Sequence, residues 1–314
     1  MLGPLGHVGA GLKYLVTARR QHASDLLTAR QLAFPKSVAL PPGLMITWLG
    51  TAGFRFEYQG VVVWIDPYVT RLSLGDVIRR RVIAPSEDAV ATWIDRADAI
   101  LVGHTHFDHA MDVPTIAKHT GCPVFGSSSL EHLMGLHGLA AQTTVVVPHV
   151  DYEVGPFRFH FVPSQHSKLQ LGLRVAYGGE LTCEHLDALT PQQYRCGQVW
   201  GVFVEVAGMS FYHQGSADLI EDEIKDRDVD MFLCGIAGRR FTHHYVERIV
   251  RVLAPKLIVP SHFDDFFRPL GDPKMSFNVN LTGFADEVHA ATHELPIGVL
   301  EVATPIGYRT SEGS

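Results

Sequence analysis

Short apolar bursts separated by turn residues run through most of this chain, but the first forty-odd positions carry a different rhythm. Leu5, Val8, Leu12, Leu15 and Val16 recur at helical spacing, with Lys13, Arg19 and Arg20 among them. Residues 1–43 therefore read as a helical N-terminal arm. It either docks on the main body or lies as an amphipathic helix against a membrane surface or a partner subunit. Pro41-Pro42-Gly43 closes the arm as a turn. From Leu44 the pattern becomes strand-like. Met45–Leu49, Phe54–Tyr58 and Val61–Ile65 are short runs, Gln59-Gly60 offers a tight turn, and Asp66-Pro67 stops the third strand. Residues 85–95 read as a helix, Ala99–Val102 as a buried strand, Asp112–His119 as a helix, Pro123–Phe125 as a strand and Ser128–Leu136 as a helix. Thr144–Val147 and Phe157–Val162 add strands.

The second half repeats the rhythm. Val199–Val206 and Ser210–His213 form a strand pair around Gly208, Ile220–Lys225 is helical, and Met231–Cys234 is a strand. Thr242 is placed to cap a helix running to about Leu253, with His243 and His244 in its first turn. Leu257–Val259 ends, like Ala99–Val102, close to a histidine. Two β-rich halves facing each other, each covered by helices on its outer side, is the architecture this predicts.

Composition narrows the function more than the fold. A net charge of −7 leaves no global basic field, which argues against a nucleic-acid partner. No apolar run is long enough to span a membrane. The four cysteines, Cys122, Cys183, Cys196 and Cys234, are scattered without a CxxC pair, which suits a reducing, cytoplasmic setting and excludes a thiolate zinc knuckle. Histidine stands out, with eighteen copies, so spacing decides which of them matter.

The segment His104-Thr105-His106-Phe107-Asp108-His109 follows the strand Ala99–Val102 through Gly103. Side chains at i and i+2 of an extended segment point the same way, so His104 and His106 can converge on one ion. Asp108 and His109 fall at the turn into the next helix and can face an adjacent position. Imidazole plus carboxylate without thiolate suits zinc or another first-row divalent metal.

This segment resembles the HxHxDH signature of the metallo-β-lactamase superfamily, and further landmarks follow in order over roughly residues 45–310. The resemblance implies a four-layer αβ/βα sandwich spanning residues 44–314. It implies a hydrolase in which two divalent ions, zinc or alternatively manganese or iron, acidify a water that attacks an ester-like bond: a phosphodiester, a lactone or an amide. By the same resemblance His166 completes one site with His104 and His106, and His262 joins Asp108 and His109 at the second. Asp66 supports the ligands from behind, and Asp108 also orients the attacking water. Relatives carry Gly-Asp-Thr after the second strand pair, with the aspartate bridging the metals, whereas Ser216 stands there in this chain. Either Asp218 reaches in from the following turn, or the bridge is missing and the second metal is held weakly.

The texture of Ile46–Gly53, of Phe211–His213 and of Gly235–Thr242 is similar to the branch containing ascorbate-6-phosphate lactonase and N-acyl-phosphatidylethanolamine phospholipase D, implying a small-molecule or lipid-like substrate. Residues 168–198 form an insertion, read as a lid or as a surface excursion, that carries His185, Tyr194 and Cys196. His185, Arg239 and His243 are candidates for substrate binding. The loop Val69–Asp76, with Leu72 and Leu74, offers an apolar wall for an acyl group. The alternative class is a metal-stabilised, non-catalytic binding or scaffold module; within enzymes, a β-lactamase or thioester hydrolase shares the same ligand pattern.

Overall fold

The structure, a computed structural model, describes residues 20–169, 172–276 and 279–308. The helical signal at Leu5–Val16 lies outside the described residues. The described part of the arm is a helix, α1 (residues 20–31), which docks on the body. Asp25 accepts from the Thr282 backbone N–H at 2.8 Å, and Phe34 N–H donates to the Val299 carbonyl at 2.9 Å.

In chain order the remaining elements are β1 (Met45–Trp48), β2 (Phe54–Tyr58), β3 (Val61–Ile65), α2 (Leu74–Ile78), α3 (Glu87–Trp93), β4 (Ala99–Leu101), α4 (Phe107–Ala110), α5 (Val113–Thr120), β5 (Val124–Gly126), α6 (Ser128–Leu136) and β6 (Thr143–Val145). There follow β7 (Tyr152–Val154), β8 (Phe157–Ser164), β9 (Val199–Val206), β10 (Met209–Gln214), β11 (Met231–Gly235), α7 (Tyr245–Leu253), β12 (Ile258–Ser261), α8 (Leu281–Ala291) and β13 (Pro305–Gly307). They build a seven-stranded sheet ordered β13-β1-β2-β3-β4-β5-β6 and a six-stranded sheet ordered β12-β11-β10-β9-β8-β7.

Strand alternation explains the layers. On β3, Val63 and Ile65 point between the sheets, while Val62 and Trp64 face the outer helices and join Val90, Ile116, Leu130 and Leu133 in a second core. On β10, Phe211 meets Phe56 across the sheets with ring centroids 5.1 Å apart, and His213 meets Phe54 at 5.7 Å. Phe125 and Phe159 make the same cross-sheet contact at 5.0 Å. The result is the αβ/βα sandwich.

Several elements differ from expectation. Residues 220–225 form only a 3₁₀ turn, Glu221–Glu223. The helix α7 starts at Tyr245, after His244 in the left-handed region (φ +51°), so His243 and His244 precede it. Thr242 does not cap it, because its hydroxyl donates to the Ala217 carbonyl at 2.8 Å. The short elements α2, β7 and β13 and the helix α8 have no counterpart in the sequence reading, and β13 gains its strand character by pairing with β1.

On the exposed side of the second sheet, His160 of β8 stacks on Phe203 with centroids 4.8 Å apart. Its two ring nitrogens each lie 3.1 Å from a carboxylate, Asp151 on one side and Asp226 on the other. Burial opposes the charged ring, but the two carboxylates outweigh burial and raise its pKa. A raised folded-state pKa stabilises the protein fully below the unfolded value, about 6.5 for histidine, and that contribution disappears as pH rises through the folded value. His160→Gln is accordingly expected to flatten the fall in Tm across roughly pH 6 to 8. An unchanged Tm-against-pH slope in that variant would refute the assignment.

Candidate metal centre

Five chain segments deliver polar side chains to one edge of the sandwich, each just past the C-terminal end of a strand. After β3 comes Asp66, after β4 the run His104–His109, after β8 His166, after β10 Ser216, and after β12 His262. Asp66 (φ +46°) and His262 (φ +58°) both adopt left-handed backbone conformations that L-residues rarely occupy. Such strain persists only where the surroundings over-determine it. Here the His262 N–H donates to the Thr51 carbonyl at 2.7 Å, and the Thr51 N–H in turn donates to Asp264 at 2.6 Å.

Two groups of donor atoms result. His104, His106 and His166 form one, and Asp108, His109 and His262 the other; within each group the ligand atoms lie within 4.8 Å of one another. His104 Nε2 is 3.0 Å from His106 Nδ1, and His262 Nε2 is 3.2 Å from the Asp108 carboxylate. The His104 and His109 rings stand 3.8 Å apart by centroid, so the two groups adjoin.

The far sides of the rings fix which nitrogen faces inward. His106 Nε2 donates to the Ala176 carbonyl at 2.9 Å, His166 Nδ1 to the Ser167 carbonyl at 2.8 Å, and His109 Nδ1 to Asp66 at 2.8 Å. Each bond leaves the other nitrogen with a lone pair directed into the cluster, which is how histidine ligands are held ready for a metal. Burial first, and the neighbouring imidazoles after it, keep His104 well below the usual histidine pKa. Burial pushes His106 down to about 4 and His166 to about 3. Three imidazoles kept neutral and crowded together leave ring nitrogens available as ligands. The donor chemistry of this chain thus fits a divalent first-row ion in each group.

In the second group burial opposes ionisation of Asp108, yet His109 and His262 outweigh it and hold the carboxyl well below the ordinary range. Asp66, fully buried, accepts from His109 on one oxygen and from the Gly103 N–H at 2.7 Å on the other. Gly215 must remain small beside this pair: a Cβ there would stand 3.1 Å from the His109 ring and 3.2 Å from Asp66. Asp66→Asn keeps the size but puts an amide N–H against His109 Nδ1–H, and loss of such a partner costs about 10–100-fold in metal affinity. Chelator competition should register that loss in Asp66→Asn, and unaltered affinity would remove Asp66 from the centre.

Asp218 does not join either group. Its carboxylate accepts from the Leu219 N–H at 2.9 Å and lies 3.9 Å from Arg248, because Ala217 pairs with His166 as an isolated bridge and turns the next side chain away. Ser216 is itself committed: it donates to the Gln165 carbonyl at 2.9 Å and accepts from Gln214 Nε2 at 2.6 Å. A neutral hydrogen-bonded network therefore occupies the position of the expected bridging carboxylate.

The other predicted site residues lie apart. Arg239 is buried, paired with Glu287 at 3.0 Å and donating to the Val279 and Asn280 carbonyls, so its guanidinium is fully engaged in holding the start of α8. His243 is exposed and packs edge-on against His244. His185 is exposed at the start of the 3₁₀ turn Leu186–Ala188 and belongs to neither group. Of the insertion, Tyr194 belongs to the second core and Cys196 is buried. Its stretch 176–179 lies against the centre, with the Cys196 carbonyl accepting from the Thr105 N–H at 3.0 Å. A cleft of about 260 Å³ opens beside His166 and is lined by Gln165, Lys168, Gly178, Gly197 and Gln198.

Sequence reading missed the residues that brace the centre. Arg71 and Asp264 form a buried ion pair at 2.7 Å, and Arg71 also donates to the Leu49 carbonyl at 2.6 Å. Asp112 accepts from the Val69 and Thr70 N–H groups at 2.6 and 2.9 Å and fixes the loop after Asp66. Arg71 and Asp264 are 193 residues apart and Asp112 lies 42 residues beyond Thr70, so no local motif announces either contact.

Two three-donor groups of nitrogen and oxygen ligands at the strand ends of an αβ/βα sandwich define a metallo-β-lactamase-type fold. The chain belongs to the metallo-β-lactamase superfamily: the profile of the beta-lactamase superfamily domain matches residues 45–262. It is similar to a protein named UPF0173 metal-dependent hydrolase from Myxococcus xanthus, 29% identical over 237 residues that cover 73% of each chain. A protein of the same name from Anaeromyxobacter dehalogenans is 27% identical over 84% of this chain and 86% of its own. Among solved structures, Igni18, described as a metallo hydrolase from Ignicoccus hospitalis, matches with a TM-score of 0.53 at 17% identity over 85% of this chain and 99% of that one. CmlA, a diiron β-hydroxylase from Streptomyces venezuelae, matches at 0.55 and 12% identity over 86% of this chain and 55% of that one.

Proposed function

We propose that the protein is a metal-dependent hydrolase of ester-like bonds that works with two unequal divalent ions, zinc foremost, with manganese or iron suited to the same donors. The observation that carries the reading is the convergence of two three-donor groups, one drawing on segments 60 residues apart in the chain and the other on segments 153 residues apart. His104, His106 and His166 would hold one ion, and Asp108, His109 and His262 the other. When bound, such ions lower the pKa of a water and draw electron density from a carbonyl or phosphoryl oxygen.

The chain's own groups do the rest. Asp108 is the one carboxylate in the two donor groups, and it orients the attacking water. The Ala176 carbonyl and Asp66 hold the His106 and His109 rings in orientation. The cleft beside His166 receives the substrate, with the Lys168 ammonium on its wall to attract an anionic group. Residues 172–198 act as the lid of that cleft. A cytoplasmic location completes the reading, supported by four cysteines that are all unpaired and buried.

The neutral Ser216 network also favours a second reading, a module stabilised by one ion without catalysis. The test is metal-free protein reconstituted with zinc, manganese or iron and offered bis(p-nitrophenyl) phosphate, a lactone, an anilide, nitrocefin and a thioester. Metal-dependent turnover of a phosphodiester, lactone or amide is the expected result. Bound metal with no turnover on the whole panel would leave the non-catalytic module.

A further inference from the structure

The segment between the buried anchors Leu72 and Ile83 packs Val77 on the second core and leaves its other apolar side chains exposed. Leu74 and Ile78 stand one turn apart on one face of α2 and are 49% and 70% exposed. The chain then reverses at Arg80 (φ +52°), with the Arg81 N–H returning to the Asp76 carbonyl at 3.1 Å, and Val82 follows, 51% exposed. The turn Leu186–Ala188 is held against this segment, since the Ile83 N–H donates to the Leu189 carbonyl at 3.0 Å and Gln192 donates to the Val77 carbonyl at 3.0 Å. It adds a further exposed leucine, Leu186.

Three consecutive arginines, Arg79, Arg80 and Arg81, are exposed among these apolar groups. Arg81 pairs with Asp76 at 3.0 Å, while Arg79 and Arg80 form no ion pair among the described residues. This local positive charge stands against a chain whose net charge is −7. From these features we infer that residues 74–82 are a docking patch for an anionic lipid surface.

The interleaving of apolar and basic side chains favours lipid over a protein partner. Leu74, Ile78 and Val82 are solvent-exposed with basic groups interleaved, which is the arrangement that seats side chains at the headgroup boundary while arginines meet phosphates. The segment is also continuous with the centre's bracing: Tyr68 packs against Phe107 at 6.0 Å, and Arg71 pairs with Asp264. Docking through it would hold that edge of the sandwich near the lipid. The inference is independent of the hydrolytic reading, since it concerns adsorption and not turnover.

The experiment is co-sedimentation of the full chain with vesicles of phosphatidylcholine alone or mixed with phosphatidylglycerol, at low and high salt. Binding should require phosphatidylglycerol and fall away at high salt. Each arginine removed should weaken partitioning about fivefold, so Arg79→Ala with Arg80→Ala should cost roughly thirtyfold. Ile78→Asp should abolish sedimentation while circular dichroism stays native. No phosphatidylglycerol-dependent binding of the native chain would overturn the proposal. So would native-level binding by both variants, which would move adsorption to another surface, or a self-association removed by Ile78→Asp without any vesicle binding.

Discussion

His104→Ala is expected to give a folded protein that has lost the ion of the three-histidine group and nearly all turnover. His104 is the member of the three-histidine group that adjoins the other group, its Nε2 3.0 Å from His106 Nδ1 and its ring 3.8 Å from that of His109. Removing it leaves two imidazoles where three converged. The drop in turnover should exceed the 10–100-fold that follows loss of a merely supporting partner. Folding should survive, because burial and the neighbouring imidazoles already keep this ring neutral and no ion pair is lost with it. Elemental analysis, turnover and a thermal melt of the same sample test this together. Full metal content and activity in His104→Ala would contradict the assignment.

The largest stability effect is expected at Asp264, a residue outside the signature. Its carboxylate meets Arg71 at 2.7 Å with both side chains at most 5% exposed, and it accepts the Thr51 N–H as well. Asp264→Ala would strand a buried guanidinium, and breaking such a pair costs about 3–5 kcal/mol. The damage should reach the centre, since Thr51 holds the His262 backbone in its left-handed conformation. Urea denaturation should show the loss. Replacing both partners together, Arg71→Met with Asp264→Leu, should cost less than Asp264→Ala, because no unpaired charge remains. A single-variant loss below about 1 kcal/mol would mean that solvent or neighbouring groups compensate the arginine.

The two layers of strands were legible because alternation and turn residues are local. The run Val61–Ile65 reads as a strand from its β-branched residues, and the structure gives the same bounds. What failed needed partners from far along the chain. β13 is a strand only by pairing with β1, and Thr242 lost its capping role to the Ala217 carbonyl. At the centre, His104, His106, Asp108 and His109 are close in sequence and announce themselves by spacing. His166 and His262 became visible only through the order of landmarks in a resemblance. Asp218 is the carboxylate nearest to Ser216 in sequence, but the bridge between Ala217 and His166 orients it toward Arg248. Arg239 is a substrate-binding candidate by sequence, and only its buried pairing with Glu287 exposes a structural task. Arg71 and Asp264, separated by 193 residues, had no local signal at all.

The unequal two-ion centre is tested most directly by titrating zinc into metal-free protein, native and Ser216→Asp, with calorimetry and elemental analysis. The neutral Ser216–Gln214–Gln165 network predicts one tightly held equivalent in the native chain and a second held at least about tenfold more weakly. Ser216→Asp should tighten the second without loosening the first. Two equally tight equivalents in the native chain, unchanged by Ser216→Asp, or no bound metal in either protein, would contradict it.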